Sequence, residues 1–180
     1  MKRFLIAILF LPVIAFGQSA FQKEAKKLGP NPLKIMDSVV ISNEVFGHLA
    51  AYNIASLTIL TDTDATNKYG NAAKDGAVLI TTKAFAKNHY IAYFRKVSAK
   101  YDSLYSITKS DSSFQYIIND KIKTSRDEGD LYIVNDEIFI SLEILSADDL
   151  KTKYNINTKQ YGILIHCKVP KDLVHADEKF

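Results

Sequence analysis

ILTDTDATNKYGNAAKDGAVLITTK, residues Ile59 to Lys83, lies without a gap over ILSADDLKTKYNINTKQYGILIHCK, residues Ile144 to Lys168, and 9 of the 25 aligned positions are identical. Identity of that extent inside one chain marks a duplicated supersecondary unit. Working outward, the first copy reaches back to Lys34 and the second to Tyr116.

Within the first copy, Leu33 to Ile41 carries apolar and β-branched residues around Asp37-Ser38, which predicts a strand with a central bend or a tight hairpin. Ser42 and Asn43 stand where they cap a helix running to about Tyr52, with Val45, Leu49 and Tyr52 on the face turned to the sheet. Ala55 to Leu60 reads as a strand. Thr61-Asp62-Thr63-Asp64 then places Thr three residues before an acid, a capping-box arrangement for a short helix ending at Tyr69-Gly70. Gly70 suits a C-terminal cap of positive φ, and Asp75-Gly76 a turn before the apolar strand Ala77 to Thr82.

In the second copy, Tyr116 to Ile122 matches the opening strand, Glu137 to Leu145 the third element, and Ser146-Ala147-Asp148-Asp149 repeats the capping box. Leu131 to Val134 has strand propensity where its counterpart is helical, and the repeat assigns it to a helix. Three extra residues fall around Asn135 to Glu137. Between the copies, Ala84 to Tyr105 predicts one long amphipathic helix with Tyr90, Phe94, Val97, Tyr101 and Leu104 along one side. The expected fold class is α/β (α+β), two tandem β-α-β-α-β units joined by that helix.

Lys2 and Arg3, the apolar run Phe4 to Phe16 and the small residues Ala15 and Gly17 form the pattern of a secretory signal peptide cleaved near Gly17. The run is shorter than the ~20 residues of a membrane-spanning helix. Cleavage takes 17 of 180 residues and two of 23 cations, so that 163 residues with 21 cations against 20 acids carry a formal charge of +1. Without a basic stripe there is no electrostatic footprint for nucleic acid. Cys167 is the single cysteine, and an intramolecular disulfide is excluded. The expected organisation is a signal peptide at 1–17, a flexible lead-in at 18–31, repeats at 32–83 and 114–170 flanking a linking helix and loop at 84–113, and a tail at 171–180.

Four segments in succession carry a resemblance. Pro32-Leu33-Lys34-Ile35-Met36-Asp37-Ser38-Val39, the strand Ile54 to Leu60, Asp62 with Ala65 and Tyr69-Gly70, and Ala72-Ala73 with Gly76 and VLITTK (Val78 to Lys83) resemble the plug domain of TonB-dependent outer-membrane receptors of the SusC-like, Bacteroidetes type. About 50 residues are covered. The resemblance implies a plug-like unit, here duplicated, in a Gram-negative periplasm. Ser38 replaces that family's turn glycine and Val40 its proline, and in the second copy Asn155 and Tyr161 stand at the two glycine positions. The receptor's 22-stranded barrel, ~220 residues of strand alone, has no room in this chain, and nothing before Pro32 resembles the TonB-contacting box. Transport and energy coupling are therefore not expected.

The structural signature of the repeat is Asp37, Asp62, Tyr69, Gly70, Gly76, Asp149 and Tyr154. Asp62, Asp64, Asp148 and Asp149 read as helix caps rather than as a catalytic carboxylate pair or a calcium loop. Tyr69 and Tyr154, equivalent in the two copies, read as anchors of the short helices. His166 and Cys167 are strand neighbours facing opposite sides and cannot form a dyad. His48, His89, His166 and His175 have no metal-site spacing, and no cofactor, phosphate loop or nucleophile elbow is indicated. The expected function is a non-catalytic binding or docking module contacting an envelope protein or a small ligand. The alternatives are a receptor-plug remnant and an enzyme with a noncontiguous site between the halves. That enzyme would show a deep cleft of polar side chains with perturbed pKa values, where a docking module would show shallow surfaces.

Overall fold

A computed structural model describes residues 23–170. The expected signal peptide, the tail 171–180 and His175 lie outside the described residues. The first copy supplies β1 (Leu33–Met36), β2 (Val39–Val40), α1 (Asn43–Gly47), β3 (Ile54–Leu60), α2 (Asp62–Tyr69) and β4 (Ala77–Thr82). Two helices follow, α3 (Lys83–Val97) and α4 (Ala99–Thr108). The second copy supplies β5 (Phe114–Ile118), β6 (Lys121–Ile122), α5 (Glu128–Tyr132), β7 (Phe139–Leu145), α6 (Ala147–Tyr154) and β8 (Tyr161–Cys167). The class is mixed α+β, with two four-stranded sheets of order β2-β1-β4-β3 and β6-β5-β8-β7. The same order twice is the tertiary form of the duplication. Each copy is ββαβαβ, because the opening segment is a tight hairpin. Asp37 and Ser38 take φ of 50° and 72°, and Asn119 and Asp120 take 46° and 64°, positive at both central positions as a type I′ turn requires.

By contacts the described residues divide into two compact units, one of 23–33 with Ile59–Ala77, the other of Lys34–Thr58 with 78–170. In the smaller unit, residues 23–25 form a helical turn. Asp75 accepts from Gly29 N at 2.8 Å through its carbonyl and from Asn31 N at 3.2 Å through its carboxylate. Gly70 caps α2 at φ 67°, and Gly76 turns at φ 88° where a Cβ would collide with the Leu28 side chain. Ala65 and Ala73 are fully buried.

In the larger unit the central strands β5 and β8 run parallel, and β7 runs antiparallel to β8. Alternate residues of a strand face opposite sides. Tyr116, Ile118, Ile163, Ile165 and Cys167 accordingly enter a core with Tyr90, Phe94 and Tyr101, while Ile117 and Leu164 meet Leu150 of α6 on the other face. Rings carry much of the first core, with Tyr90 against Tyr116 at 5.3 Å and Phe94 against Tyr101 at 5.8 Å between centroids. Each such pair adds ~0.5–1.5 kcal/mol beyond its buried area. The edge strand β7 is interrupted by a bulge between Phe139 and Ser141, a device that discourages strand addition at an exposed edge.

Three expectations are corrected. The linking helix is two helices, broken at Ser98, which is extended (φ −138°, ψ 105°), donates its amide to Phe94 O at 3.0 Å and caps α4 by accepting from Tyr101 N at 3.2 Å. The break lets Tyr101 fold back against Phe94. The helix expected to reach Tyr52 stops at Gly47. Ser42 caps it as expected, but Val45 and Tyr52 are 44% and 76% exposed and do not pack on the sheet. A glycine in a helix costs ~1 kcal/mol against alanine, and no buried face repays it here. Third, the capping box forms only in the second copy. Ser146 and Asp149 exchange their hydrogen bonds there, whereas Thr61 makes no side-chain cap. Asp62 takes φ 51° at the helix entry, which turns the chain away from the geometry a box needs.

Candidate functional site

The sequence of α3 sets Lys87 and Tyr90 three residues apart, on one side of the helix. Beside them the chain returns through Asp111 and Ser112 into β5, and the loop after β6 brings Thr124, Ser125 and Glu128 to the same place. Together they surround a cavity of about 260 Å³, closed by Phe114, Tyr116 and Leu131 and bordered by Lys159.

Its walls are held by local chemistry. Asp127 accepts from both Thr124 N and Thr124 Oγ1 at 2.8 Å, which fixes the loop into α5. Gly129, next to Glu128, lies where a Cβ would stand 2.7 Å from the Ala55 carbonyl oxygen of β3. That close approach requires glycine and sets how far Glu128 reaches inward. Gln115 Nε2 donates to Lys123 O at 2.7 Å and to Tyr116 O at 3.0 Å. The Lys123 side chain, 3% exposed, pairs with Asp130 at 2.9 Å.

The polar groups are unequal in how well they are satisfied. Lys87 meets Asp111 at 2.7 Å, and the Tyr90 hydroxyl reaches the same carboxylate at 3.5 Å. Tyr90 is 1% exposed, and burial, reinforced by the negative charges of Glu128 and Asp111, pushes its pKa far above the ordinary tyrosine value. Burial also raises the Glu128 carboxyl. A hydrogen bond from Tyr90 and the charges of Lys87 and Lys83 work in the opposite direction. Glu128 Oε2 is closed off from solvent and has no hydrogen-bond partner. A buried acceptor left unpaired costs ~1–3 kcal/mol, more when charged. Two ammonium groups nearby are held by main-chain carbonyls rather than by acids, Lys159 on Ser112 O and Lys83 on Ser125 O, each at 2.6 Å.

No family model, curated protein or solved structure matches this chain significantly. The geometry therefore speaks for itself. None of the seven signature residues lines the cavity. Asp37 accepts from Thr82 N at 2.8 Å and from Thr82 Oγ1 at 2.7 Å, Tyr154 donates to Asp120 at 2.7 Å, and Asp149 caps α6. Tyr69 is half-buried with the Lys68 ammonium 5.6 Å from its ring centre. Asp62 is exposed, and Gly70 and Gly76 serve their turns. Asp37, Gly70, Gly76, Asp149 and Tyr154 thus serve turns, caps and clips of the repeat, whereas Asp62 makes no capping bond.

His166 and Cys167 do face opposite ways. His166 lies 3.9 Å from Glu143, while Cys167 sits in the aromatic core, where burial raises its pKa to about 12. Among the described residues no helix is long and apolar enough to cross a membrane. The sequence reading missed the cavity because Lys87, Asp111, Glu128 and Lys159 are spread over 73 positions. The signal available was the Lys87/Tyr90 spacing alone. Polar side chains with displaced pKa values are the feature expected of an enzyme, and they stand between the linking helix and the second copy rather than between the two copies.

Proposed function

We propose that this protein is an exported, plug-like module that binds a small polar ligand in the cavity beneath α3 and performs no catalysis of its own. One observation carries the reading. Glu128 Oε2 is a desolvated acceptor with no partner, and a site that keeps such a group unpaired when empty gains most when a ligand supplies the donor. A docking module working through shallow surfaces alone would have no use for it. Export is supported by the run of residues 2–17, and plug ancestry by the four matching segments and by the doubled strand order.

A second reading is favoured by the raised Glu128 carboxyl. A carboxylic acid that holds its proton closer to neutrality can act as a general acid. Against it, the other cavity groups are committed: Lys87 to Asp111, Lys123 to Asp130, and Thr124 to Asp127. Saturation-transfer NMR on the purified chain with a mixture of small polar metabolites tests both readings. Binding without change in the ligand spectrum over hours supports the module, new product resonances support the enzyme, and no transfer to any compound rejects both.

A further inference from the structure

The charge pattern of the cavity names a ligand class, an inference that rests on the cavity being a binding site. At one place an unpaired carboxylate oxygen of Glu128 waits for a donor. At another, the ammonium group of Lys159 donates to the carbonyl of Ser112 rather than to a carboxylate. Asp111 and Asp130 are taken by Lys87 and Lys123. The lining carries three cations, Lys87, Lys123 and Lys159, against two acids, Asp111 and Glu128, so a simple cation is disfavoured and a simple anion leaves Glu128 unanswered.

We propose that the cavity binds a free α-amino acid, its ammonium on Glu128 and its carboxylate on Lys159. A molecule carrying both charges meets both deficits. An ammonium answers a carboxylate better than a hydroxyl does, because hydrogen bonds between ionised groups are shorter and about twice as strong as neutral ones. The volume of about 260 Å³ lies below the ~300–1,000 Å³ of pockets for drug-sized ligands and suits a guest of metabolite size. Phe114 and Leu131 offer apolar wall for the ligand's side chain.

The test screens the twenty standard amino acids by thermal shift and carries the best through titration calorimetry. Its decarboxylated amine, its deaminated acid and the matching 2-hydroxy acid are the controls, with a panel of neutral sugars beside them. We expect one or more amino acids to bind. Each control should be weaker by about tenfold or more, which is the loss of ~1.4 kcal/mol. Glu128→Gln and Lys159→Met should each reduce affinity by a similar factor while keeping the far-ultraviolet circular dichroism and a cooperative melt. Ser125→Tyr, at an exposed wall position, should block binding without touching either charged anchor.

Binding of the hydroxy acid or a sugar, lost in Ser125→Tyr, would overturn the amino-acid assignment and leave the binding site standing. Amino-acid binding that survives all three substitutions would place it elsewhere and overturn the assignment. Absence of binding by every compound would remove both the assignment and the binding-site reading beneath it.

Discussion

Asp37 holds Thr82 by two atoms at once, accepting from its amide at 2.8 Å and from its hydroxyl at 2.7 Å. The same Thr82 hydroxyl accepts from Phe85 N at 3.2 Å and so caps α3. A turn residue of the first hairpin thus closes the end of β4 and orients the start of the next helix. The second copy repeats the clip with an amide. Asn119 accepts from Cys167 N and donates to Cys167 O, both at 3.0 Å, and the turn amides of Asp37 and Asn119 donate to Ile80 O and Ile165 O.

Removing the first clip has a definite cost. Asp37→Ala leaves the Thr82 amide without its acceptor, and we expect a loss of about 1–3 kcal/mol in urea unfolding. Asp37→Asn, the residue the second copy uses, should cost less. Equal stability of Asp37→Ala and the unaltered chain would show the clip to be incidental.

The two short helices differ in their caps. Ser146→Ala should destabilise by about 1 kcal/mol, and Thr61→Ala, whose hydroxyl caps nothing, by less than half of that. Asp149 adds a pH signature. Its hydrogen bonds with Ser146 hold its carboxyl below the ordinary aspartate value. The stability it contributes is therefore complete above the unfolded pKa of about 4 and is lost as pH falls through the lower folded value. Melting curves between pH 6 and 2 should show a steeper decline for the unaltered chain than for Asp149→Asn.

Tyr101 and Tyr116 share a buried hydrogen bond of 2.8 Å, and burial pushes both hydroxyls well above the ordinary range. Tyr116→Phe strands the Tyr101 hydroxyl in the core and should cost about 1–3 kcal/mol. The double change to Phe should cost less than the two single changes added together, the non-additivity of contacting residues. Strict additivity in guanidinium unfolding would deny the coupling.

Cys167 should be chemically silent in the folded state. With a pKa of about 12 it holds almost no thiolate at pH 8. Iodoacetamide should label the denatured chain at least about a hundredfold faster than the native one. Rapid native labelling would place the thiol outside the core.

The elements were legible wherever local chemistry and long-range packing agree. The strands Ile54–Leu60 and Ala77–Thr82 and the cap at Gly70 stood at their expected places. The helix assigned to Leu131 to Val134 was legible only through the repeat, since its propensity is that of a strand, and it forms only in part: α5 ends at Tyr132, and Val134 is buried in the core beyond the helix end. Ser98 was not legible as a break. Its neighbours continue the aromatic period, and only the return of Tyr101 to Phe94 reveals it.

Duplication and fold class were determined by sequence alone, because hydrophobic period and turn residues are local properties repeated in the same order. The tertiary structure alone decided that one copy lacks its capping box, that the linking helix is two, and that a charged cavity exists. The physical reason is the same in each case. Backbone sign at Asp62, the reversal at Ser98 and the meeting of Lys87, Asp111, Glu128 and Lys159 depend on which distant groups are brought within a few ångströms, and no local pattern carries that distance.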